Sequence, residues 1–256
     1  VATAALPEVA RHAASGSLDD LRRTISSSVR MMLMLSVPAT IGLMALSGPI
    51  IEFIFQRGEF DTESTRMTAM ALLCYAPGLI GYSAVKIASP TFYALNDSRT
   101  PVLVSVGTIA LNLVLNMTLV RVLGFQGLAL GTAIAALFNS GLLMHLLSRR
   151  IEGIEGPRIF QAFVKILIAS LAMGGAAYAT EVWLNAHLPM MQSWVTWLPA
   201  DVQAGTARTL RAGIRVGTAM AVGVAVLGLA ATVLHLHEFN AALTRVLAKF
   251  RRTNRP

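Results

Sequence analysis

Charged residues are scarce in this sequence. Only 13% of its 256 residues are Asp, Glu, Lys or Arg, whereas 55% are hydrophobic, and soluble globular chains carry about 25% charged residues. A soluble domain of this length would lack the polar surface to cover itself. Because long charge-free runs alternate with short charged clusters, the pattern predicts a chain that crosses a membrane repeatedly.

Cysteine and catalytic motifs are also nearly absent. The single cysteine, Cys74, lies inside an apolar run, which excludes a disulfide framework and a thiolate metal site. No H-E-x-x-H or G-x-S-x-G motif is present, and the five His are scattered. Glu52, Glu59, Asp61 and Glu63 cluster among basic neighbours, as expected for a solvated loop. No enzyme is therefore predicted.

The net charge of +8 does not indicate a nucleic-acid partner. A nucleic-acid face gathers basic residues on one soluble surface, but here they flank the apolar runs. They are interpreted as topology signals and as contacts to the headgroups of anionic membrane lipids.

Six runs are long enough to cross the hydrocarbon core, which takes about 20 helical residues. The fourth run is longer than needed, and its helix is predicted to begin near Gln126, after a tight turn at Gly124. The predicted fold is all-α, a polytopic membrane bundle of about six transmembrane helices. The six predicted spans are Met31–Ile51, Met67–Leu95, Thr100–Val120, Val122–Ser148, Ile159–Thr180 and Val216–Leu236.

Three further segments are predicted to lie outside the spans. Leu18–Arg30 reads as a polar or amphipathic helix with Ser17 as its N-cap. Trp183–Trp197 contains three Trp and is predicted to lie at the outer interface. Phe239–Phe250 places apolar residues on one helical face and is predicted to rest on cytoplasmic headgroups.

The basic residues predict the orientation. When each is assigned to the nearer end of its span, 15 of the 21 Lys and Arg fall on the side that holds both termini. Cytoplasmic segments keep the excess of Lys and Arg. Both termini are therefore predicted to be cytoplasmic.

Prolines and one lysine are the first candidate functional residues. Pro38 and Pro77 interrupt the first two spans and are candidate hinges, or ordinary kinks without a function. Lys86 is the charged residue deep inside a span, about 13 Å from its cytoplasmic end at 1.5 Å per residue. An intramembrane charge indicates either a role in a charged or hydrated cavity or a buried structural pairing.

Oxygen-bearing side chains form a second candidate site. Asn112 and Asn116 share one face of the third span, and Thr132 enters the fourth span at comparable depth. Together with a backbone carbonyl they would suit Na⁺. The alternative, which spacing alone favours, is interhelical hydrogen bonding.

Small residues recur in the last two spans. Gly213 and Gly217 form a GxxxG step, and Gly174 and Gly175 lie in the fifth span. This pattern predicts tight contact between the fifth and sixth spans, or alternatively a groove for an acyl or prenyl chain.

Longer stretches resemble a known family. They are FIFQRGEFDTEST (Phe53 to Thr65), GLIGYSAVKIASPTFYALNDSRTPV (Gly78 to Val102) and LNLVLNMTLVRVLGFQGLALGTAIAALFNSGLL (Leu111 to Leu143). These stretches, with LPEVAR at Leu6 to Arg11, resemble the MviN/MurJ lipid II flippases of the multidrug/oligosaccharidyl-lipid/polysaccharide exporter superfamily.

The resemblance implies the C-terminal portion of a fourteen-helix protein of the bacterial inner membrane. Residues 1–30 would be the end of a preceding helix and a cytoplasmic connection, and 31–150 four helices of the C-terminal lobe. Residues 151–236 would be two additional helices with an outer interfacial loop, and 237–256 a basic amphipathic tail. An N-terminal lobe would then be missing upstream.

The implied activity is movement of lipid II, an undecaprenyl-pyrophosphate-linked peptidoglycan precursor, by alternating access for cell wall biogenesis. The fifth and sixth spans would hold the lipid tail, and Asn112, Asn116 and Thr132 resemble the family's sodium positions. Asn116 stands where an Asp can occur, so the sequence lacks that charge. No other cofactor is implied. The alternatives are another lipid-polysaccharide or drug exporter, and a non-transporting membrane scaffold.

Overall fold

The computed structural model describes residues 2–15, 17–57, 59–188 and 200–234. In these ranges the chain is almost entirely helical and contains no strand. The helices are α1 (Ala2–Ser15), α2 (Leu18–Ala45), α3 (Ser47–Phe55), α4 (Thr62–Tyr75), α5 (Gly78–Ala94), α6 (Arg99–Leu123), α7 (Phe125–Arg150), α8 (Gly156–His187) and α9 (Ala200–Val233).

Six of these segments are long and apolar enough to cross a membrane, which confirms the predicted polytopic helical bundle. α4 and α5 together form one span, and the sixth span lies within α9. The spans are Leu18–Ala45, Thr62–Ala94, Arg99–Leu123, Phe125–Arg150, Gly156–His187 and Thr209–Val233.

The polar segment Leu18–Arg30 is helical but is not a separate helix, which corrects the sequence prediction. α2 runs without a break from Leu18 through the first span, because residues 18–37 contain no Gly or Pro. Ser17 lies at the N-cap position, but its Oγ donates to the Asp20 carboxylate at 2.6 Å and caps no backbone N–H.

Proline has different effects in the first two spans. Pro38 lies buried inside a continuous α2, whereas Pro77 separates α4 from α5. Pro77 has no N–H to continue the ladder, and the next turn uses shorter-range bonds from Leu79 N to Ala76 O and from Ile80 N to Pro77 O. The Thr40 hydroxyl of α2 lies 3.5 Å from the same Ala76 carbonyl. The break therefore rests against α2.

Turns fix the remaining helix boundaries. Gly124 has a φ of +59° between α6 and α7, a conformation that favours glycine, and α7 begins at Phe125, as the sequence predicted. Asp61 caps α4 by accepting from the Ser64 N–H at 2.8 Å, and this bond lowers the pKa of the Asp61 carboxyl. Asp97 accepts from the N–H and hydroxyl of Thr100.

The bundle has two ends that are useful as landmarks. The Gly124 end contains residues 56–57 and 59–61, Gly124 and the C-terminus of α8. The Ile151 end contains residue 17, residues 95–98 and residues 151–155. At the Ile151 end the Arg22 guanidinium donates to the Ile151 carbonyl at 2.6 Å and pairs with Glu152, which ties α2 to the connection before α8.

Glycine allows a tight helix crossing between α5 and α7. An ideal Cβ on Gly81 would lie 2.5 Å from the Ala136 carbonyl oxygen, and one on Gly78 would lie 2.9 Å from the Ala133 Cα. Both obstacles are backbone or rigid atoms, so the two helices would have to separate. This crossing holds one side of α5 against the bundle.

We expect Gly81→Ala to destabilise the protein by about 1–3 kcal/mol, the usual range for overpacking. Gly141→Ala is the matched control, because a Cβ there meets nothing within 4 Å, and it should cause no loss. The midpoint of thermal unfolding in detergent measures both. Equal midpoints for the two variants would contradict the tight crossing.

The glycines of the last two spans pack differently from the prediction. α8 and α9 do pair, but Gly174 faces Ile41 of α2 and Gly213 faces Phe53 of α3, while Gly175 and Gly217 meet nothing within 4 Å. The predicted contact between the fifth and sixth spans is therefore formed, but it involves Gly223 of α9 against Met173 and Ala177 of α8 and not the Gly213–Gly217 step.

Two predicted segments fall partly or wholly outside the described residues. Trp183 lies in α8, which extends the fifth span to His187, and the rest of Trp183–Trp197 beyond residue 188 is outside the described ranges. The predicted amphipathic tail Phe239–Phe250 also lies outside them.

Candidate functional site

α5 has two chemically different faces. Its buried residues are small or apolar and include Gly81, Ala88 and Phe92, which pack into the bundle. Tyr82, Lys86 and Tyr93 are exposed, and their spacing of four and seven places them on one side of the helix. We call these three residues the polar face of α5.

Lys86 lies in the middle of the polar face and is exposed. Among the described residues it makes no hydrogen bond and no ion pair, so the alternative of a buried pairing is not observed within the described part of this chain. A lysine at such depth in a span is unfavourable in contact with lipid tails by about 3 kcal/mol. The polar face of α5 therefore requires water or an anion beside it.

Tyrosine continues this surface toward the Gly124 end. The rings of Tyr75 and Tyr82 lie 6.3 Å apart on either side of the Pro77 break. Both side chains are exposed. The break at Pro77 thus lies directly beside the polar face of α5.

α6 presents a contrasting surface. Only Pro101 and Val104 of its residues are buried, and large apolar side chains such as Ile109 and Leu113 are 69% and 60% exposed. Such a surface fits hydrocarbon or an apolar protein neighbour and requires no water.

The predicted oxygen site is partly assembled. The Asn116 side-chain nitrogen donates to the side-chain oxygen Oδ1 of Asn112 at 3.1 Å within α6. The Thr132 hydroxyl donates to the backbone carbonyl of Leu128 within α7. In the described structure no hydrogen bond joins these three side chains across the two helices. The predicted interhelical bonding is therefore not formed there.

One oxygen of this site has no donor. Asn116 Oδ1 is buried and unpartnered, and it points at the Gly131 Cα, where an ideal Cβ would lie 2.5 Å away. Gly131 precedes Thr132, so the free oxygen lies next to the third predicted residue. A buried acceptor without a partner is unfavourable by about 1–3 kcal/mol, which a bound cation would relieve.

The sequence prediction missed a buried charge cluster at the Gly124 end. Arg215 of α9 pairs with Glu181 of α8 and, at 3.3 Å, with Glu52 of α3. Arg215 and Glu181 are only 6% and 7% exposed. Glu181 lies one residue beyond the predicted fifth span and Arg215 one residue before the predicted sixth span, where charges are typical of solvated span ends. The sequence signal for the pair is that two opposite charges adjoin the facing ends of consecutive spans.

Other reactive groups are dispersed. Cys74 is free and half-buried. Within the ranges that the structure describes, no group of three or more His, Cys, Asp and Glu side chains is placed to hold a metal ion.

Comparisons with known proteins identify a family that matches most of the chain. The family described as "Lipid II flippase MurJ" matches residues 1–197. A Vibrio cholerae protein named "Probable lipid II flippase MurJ" is 30% identical over 199 residues, covering 77% of this chain and 36% of that protein. A Rickettsia prowazekii protein of the same name is 38% identical over 141 residues, covering 55% of this chain and 28% of that protein.

A solved structure has the same fold. It is a lipid II flippase MurJ in an inward closed conformation, aligned with a TM-score of 0.69 at 20% identity over 92% of this chain and 42% of that one. This chain thus spans about a third of the Vibrio cholerae protein and about two fifths of the solved flippase.

Proposed function

Because the chain belongs to the lipid II flippase MurJ family, we propose that it forms the C-terminal part of a flippase for a lipid-linked peptidoglycan precursor. One observation carries this proposal. A span in a multi-pass membrane protein exposes Lys86 between two tyrosines, without a partner among the described residues. A hydrated cavity that receives a pyrophosphate would explain why a lysine is exposed at this depth in the span.

The polar face of α5 would form one wall of that cavity. The opposite wall would come from an N-terminal lobe, because the chain spans only 36% of the Vibrio cholerae protein and 42% of the solved flippase. With α2 beginning at Leu18, residues 18–150 would form the helices of the C-terminal lobe, and 151–236 the two additional helices. Residues 1–17 would be the end of a preceding helix and its connection, and 237–256 a basic tail, both on the cytoplasmic side.

Lys86 would act on the substrate as a point charge. Its ammonium would donate charge-assisted hydrogen bonds to pyrophosphate oxygens, and Tyr82 and Tyr93 would supply hydroxyls on either side. The break at Pro77, supported by Thr40, would let the two halves of this span change their angle. Alternating access would use this hinge, while Pro38 would bend α2 with it. The process is transport and makes or breaks no covalent bond.

The orientation would follow from the arginines at the Ile151 end. Arg22, Arg23, Arg99, Arg149 and Arg150 all lie there, and the cytoplasmic side keeps the excess of basic residues. The Ile151 end would therefore face the cytoplasm of a bacterium, and the Gly124 end the outside of the inner membrane.

Complementation tests the function directly. The full-length gene should restore growth to cells depleted of their own lipid II flippase. Failure to restore growth, despite normal insertion into the membrane, would contradict the proposal. If the gene instead complements only cells that lack a polysaccharide-lipid exporter or a drug exporter, the alternative function of that exporter is supported.

We further propose that Na⁺ binds weakly between α6 and α7. Asn116 Oδ1 lacks a donor, Thr132 Oγ1 keeps lone pairs after donating to Leu128, and Asn112 supplies another amide oxygen. These residues fit a hard cation, but they bring no negative charge. Bound Na⁺ would neutralise no carboxylate and would act by drawing α6 and α7 together.

Asn116→Asp should therefore strengthen Na⁺ binding by about tenfold or more, because ligand charge sets the affinity of hard cations. Asn116→Leu should abolish it. The rise in unfolding temperature of the full-length protein between potassium and sodium buffers measures both effects. Equal sodium-induced stabilisation of the two variants would exclude this site.

A further inference from the structure

A second polar cavity lies at the Gly124 end, away from the polar face of α5. It has a volume of about 680 Å³ and opens between α3, α4 and the adjoining ends of α8 and α9. The described residues that line it include three arginines, Arg66, Arg211 and Arg215, and a single carboxylate, Glu52. The charged groups of this lining are therefore mainly basic.

Two of these arginines carry unused donors. Arg211 and Arg215 are one turn apart on the same side of α9. The Nε of each is buried and has no hydrogen-bond partner, although Arg215 is 94% buried by its 6% exposure. Buried N–H groups of a cation are rarely left unpaired. Both arginines line one cavity, and a ligand with acceptor oxygens bound there would give their guanidinium groups the partners that they lack.

The charge balance singles out Arg211. Arg215 is neutralised by Glu52 and Glu181, and Arg66 pairs with Glu63 at 2.9 Å. Among the described residues Arg211 meets only the backbone and side-chain oxygens of Asn185. The Arg211 guanidinium is therefore uncompensated within the described part of the chain, and guanidinium forks bind phosphate and carboxylate oxygens.

The cavity is amphipathic along α4. Arg66 lines the cavity near the start of α4, which we call its mouth, whereas Ala69, Met70 and Leu73 also line it and lie further along α4, nearer the middle of the span. Leu73 is seven residues from Arg66, about 10 Å along the helix at 1.5 Å per residue. Met70 and Leu73 are both more than 40% exposed. A free ion would need only the mouth, but an amphiphile would fill both halves.

We propose that this cavity binds the phosphate group of a lipid, with Arg211 as its main charged ligand and the Met70–Leu73 side of α4 against its hydrocarbon chain. The phosphate belongs either to a membrane phospholipid or to a pyrophosphate-linked isoprenoid. The site does not depend on the proposed transport activity. It places a lipid headgroup beside the Arg215 cluster, which joins α3, α8 and α9.

Lipid titration of the full-length protein, followed by native mass spectrometry from detergent, tests the site. The probes are short-chain phosphatidylglycerol, undecaprenyl pyrophosphate and inorganic phosphate. We expect Arg211→Gln to weaken binding of the preferred lipid by about tenfold or more, the effect of losing one charge-assisted hydrogen bond. Arg121→Gln is the control, because Arg121 is exposed at the same end and does not line the cavity.

The outcomes separate the sources. Preference for phosphatidylglycerol identifies a membrane phospholipid, and preference for undecaprenyl pyrophosphate identifies the isoprenoid. Equal binding of inorganic phosphate overturns the lipid assignment, and unchanged binding in Arg211→Gln overturns the site. If Arg211→Gln does not fold, Leu73→Trp gives the answer. This variant fills the apolar half and should reduce lipid binding while leaving inorganic phosphate unaffected; unchanged lipid binding would overturn the proposal.

Discussion

Transport should fall by about 10- to 100-fold when Lys86 is replaced by glutamine in the full-length flippase. A hydrogen bond to a charged group contributes about 1.5–3 kcal/mol, and each 1.4 kcal/mol is a factor of about ten. Lys86 is exposed on the polar face of α5 and has no partner among the described residues that could substitute for the substrate. Lys86→Glu should abolish growth, because a carboxylate would repel the pyrophosphate. Growth of flippase-depleted cells and the rate of precursor translocation measure the effect.

Lys165→Gln is the matched control for this experiment. Lys165 lies on α8, and its ammonium is 3.4 Å from the Leu234 carbonyl at the Ile151 end, away from the polar face of α5. The Lys165→Gln variant should transport normally. The Lys86→Arg variant should keep most of the transport activity because it retains the positive charge. Full transport by Lys86→Gln would contradict a cavity role for this residue.

Loss of Arg215 should have the largest effect on stability. Arg215→Met would leave Glu181 and Glu52 without their cation, and removing one partner of a buried ion pair is unfavourable by about 3–5 kcal/mol. The cluster joins three helices, so α8 and α9 should also separate from α3. The midpoint of thermal unfolding in detergent measures this loss of stability. A lipid-free sample of each protein serves as the control, because a lipid bound beside the cluster would also change the midpoint.

Two variants show whether burial is the cause. Arg66→Met breaks an exposed pair with Glu63 and should change stability by at most about 1 kcal/mol. The double variant Arg215→Met with Glu181→Met removes both buried charges and should recover most of the loss. If Arg215→Met alone is as stable as Arg66→Met, the cluster is not buried in the membrane-embedded protein.

The span count, the turn at Gly124 and the helical fold could be predicted because hydrocarbon imposes length and composition on every crossing segment. The break at Pro77 followed from its missing N–H. The continuity of α2 through Leu18–Arg30 could not be predicted from polarity, because a polar helix start outside the hydrocarbon and a separate surface helix have the same composition.

The sites were less predictable, since they depend on which helices meet. Glu52 and Arg215 are 163 residues apart in sequence, and each alone is typical of a solvated span end. Likewise Gly174 and Gly213 indicated close packing, but sequence spacing does not identify the partner helix. Lys86 could be found from its depth alone, whereas its exposure depends on the packing of the opposite side of α5 against α7.

Cysteine accessibility tests most directly whether the polar face of α5 lines a water-filled cavity. In full-length protein with Cys74→Ala, the variants Tyr82→Cys, Lys86→Cys and Tyr93→Cys should react rapidly in membranes with a water-soluble maleimide, because the reagent needs a hydrated thiolate. Ile109→Cys and Leu113→Cys on the apolar surface of α6 should stay unlabelled. Labelling of the α6 positions with no labelling at position 86 would contradict the cavity and the transport route derived from it.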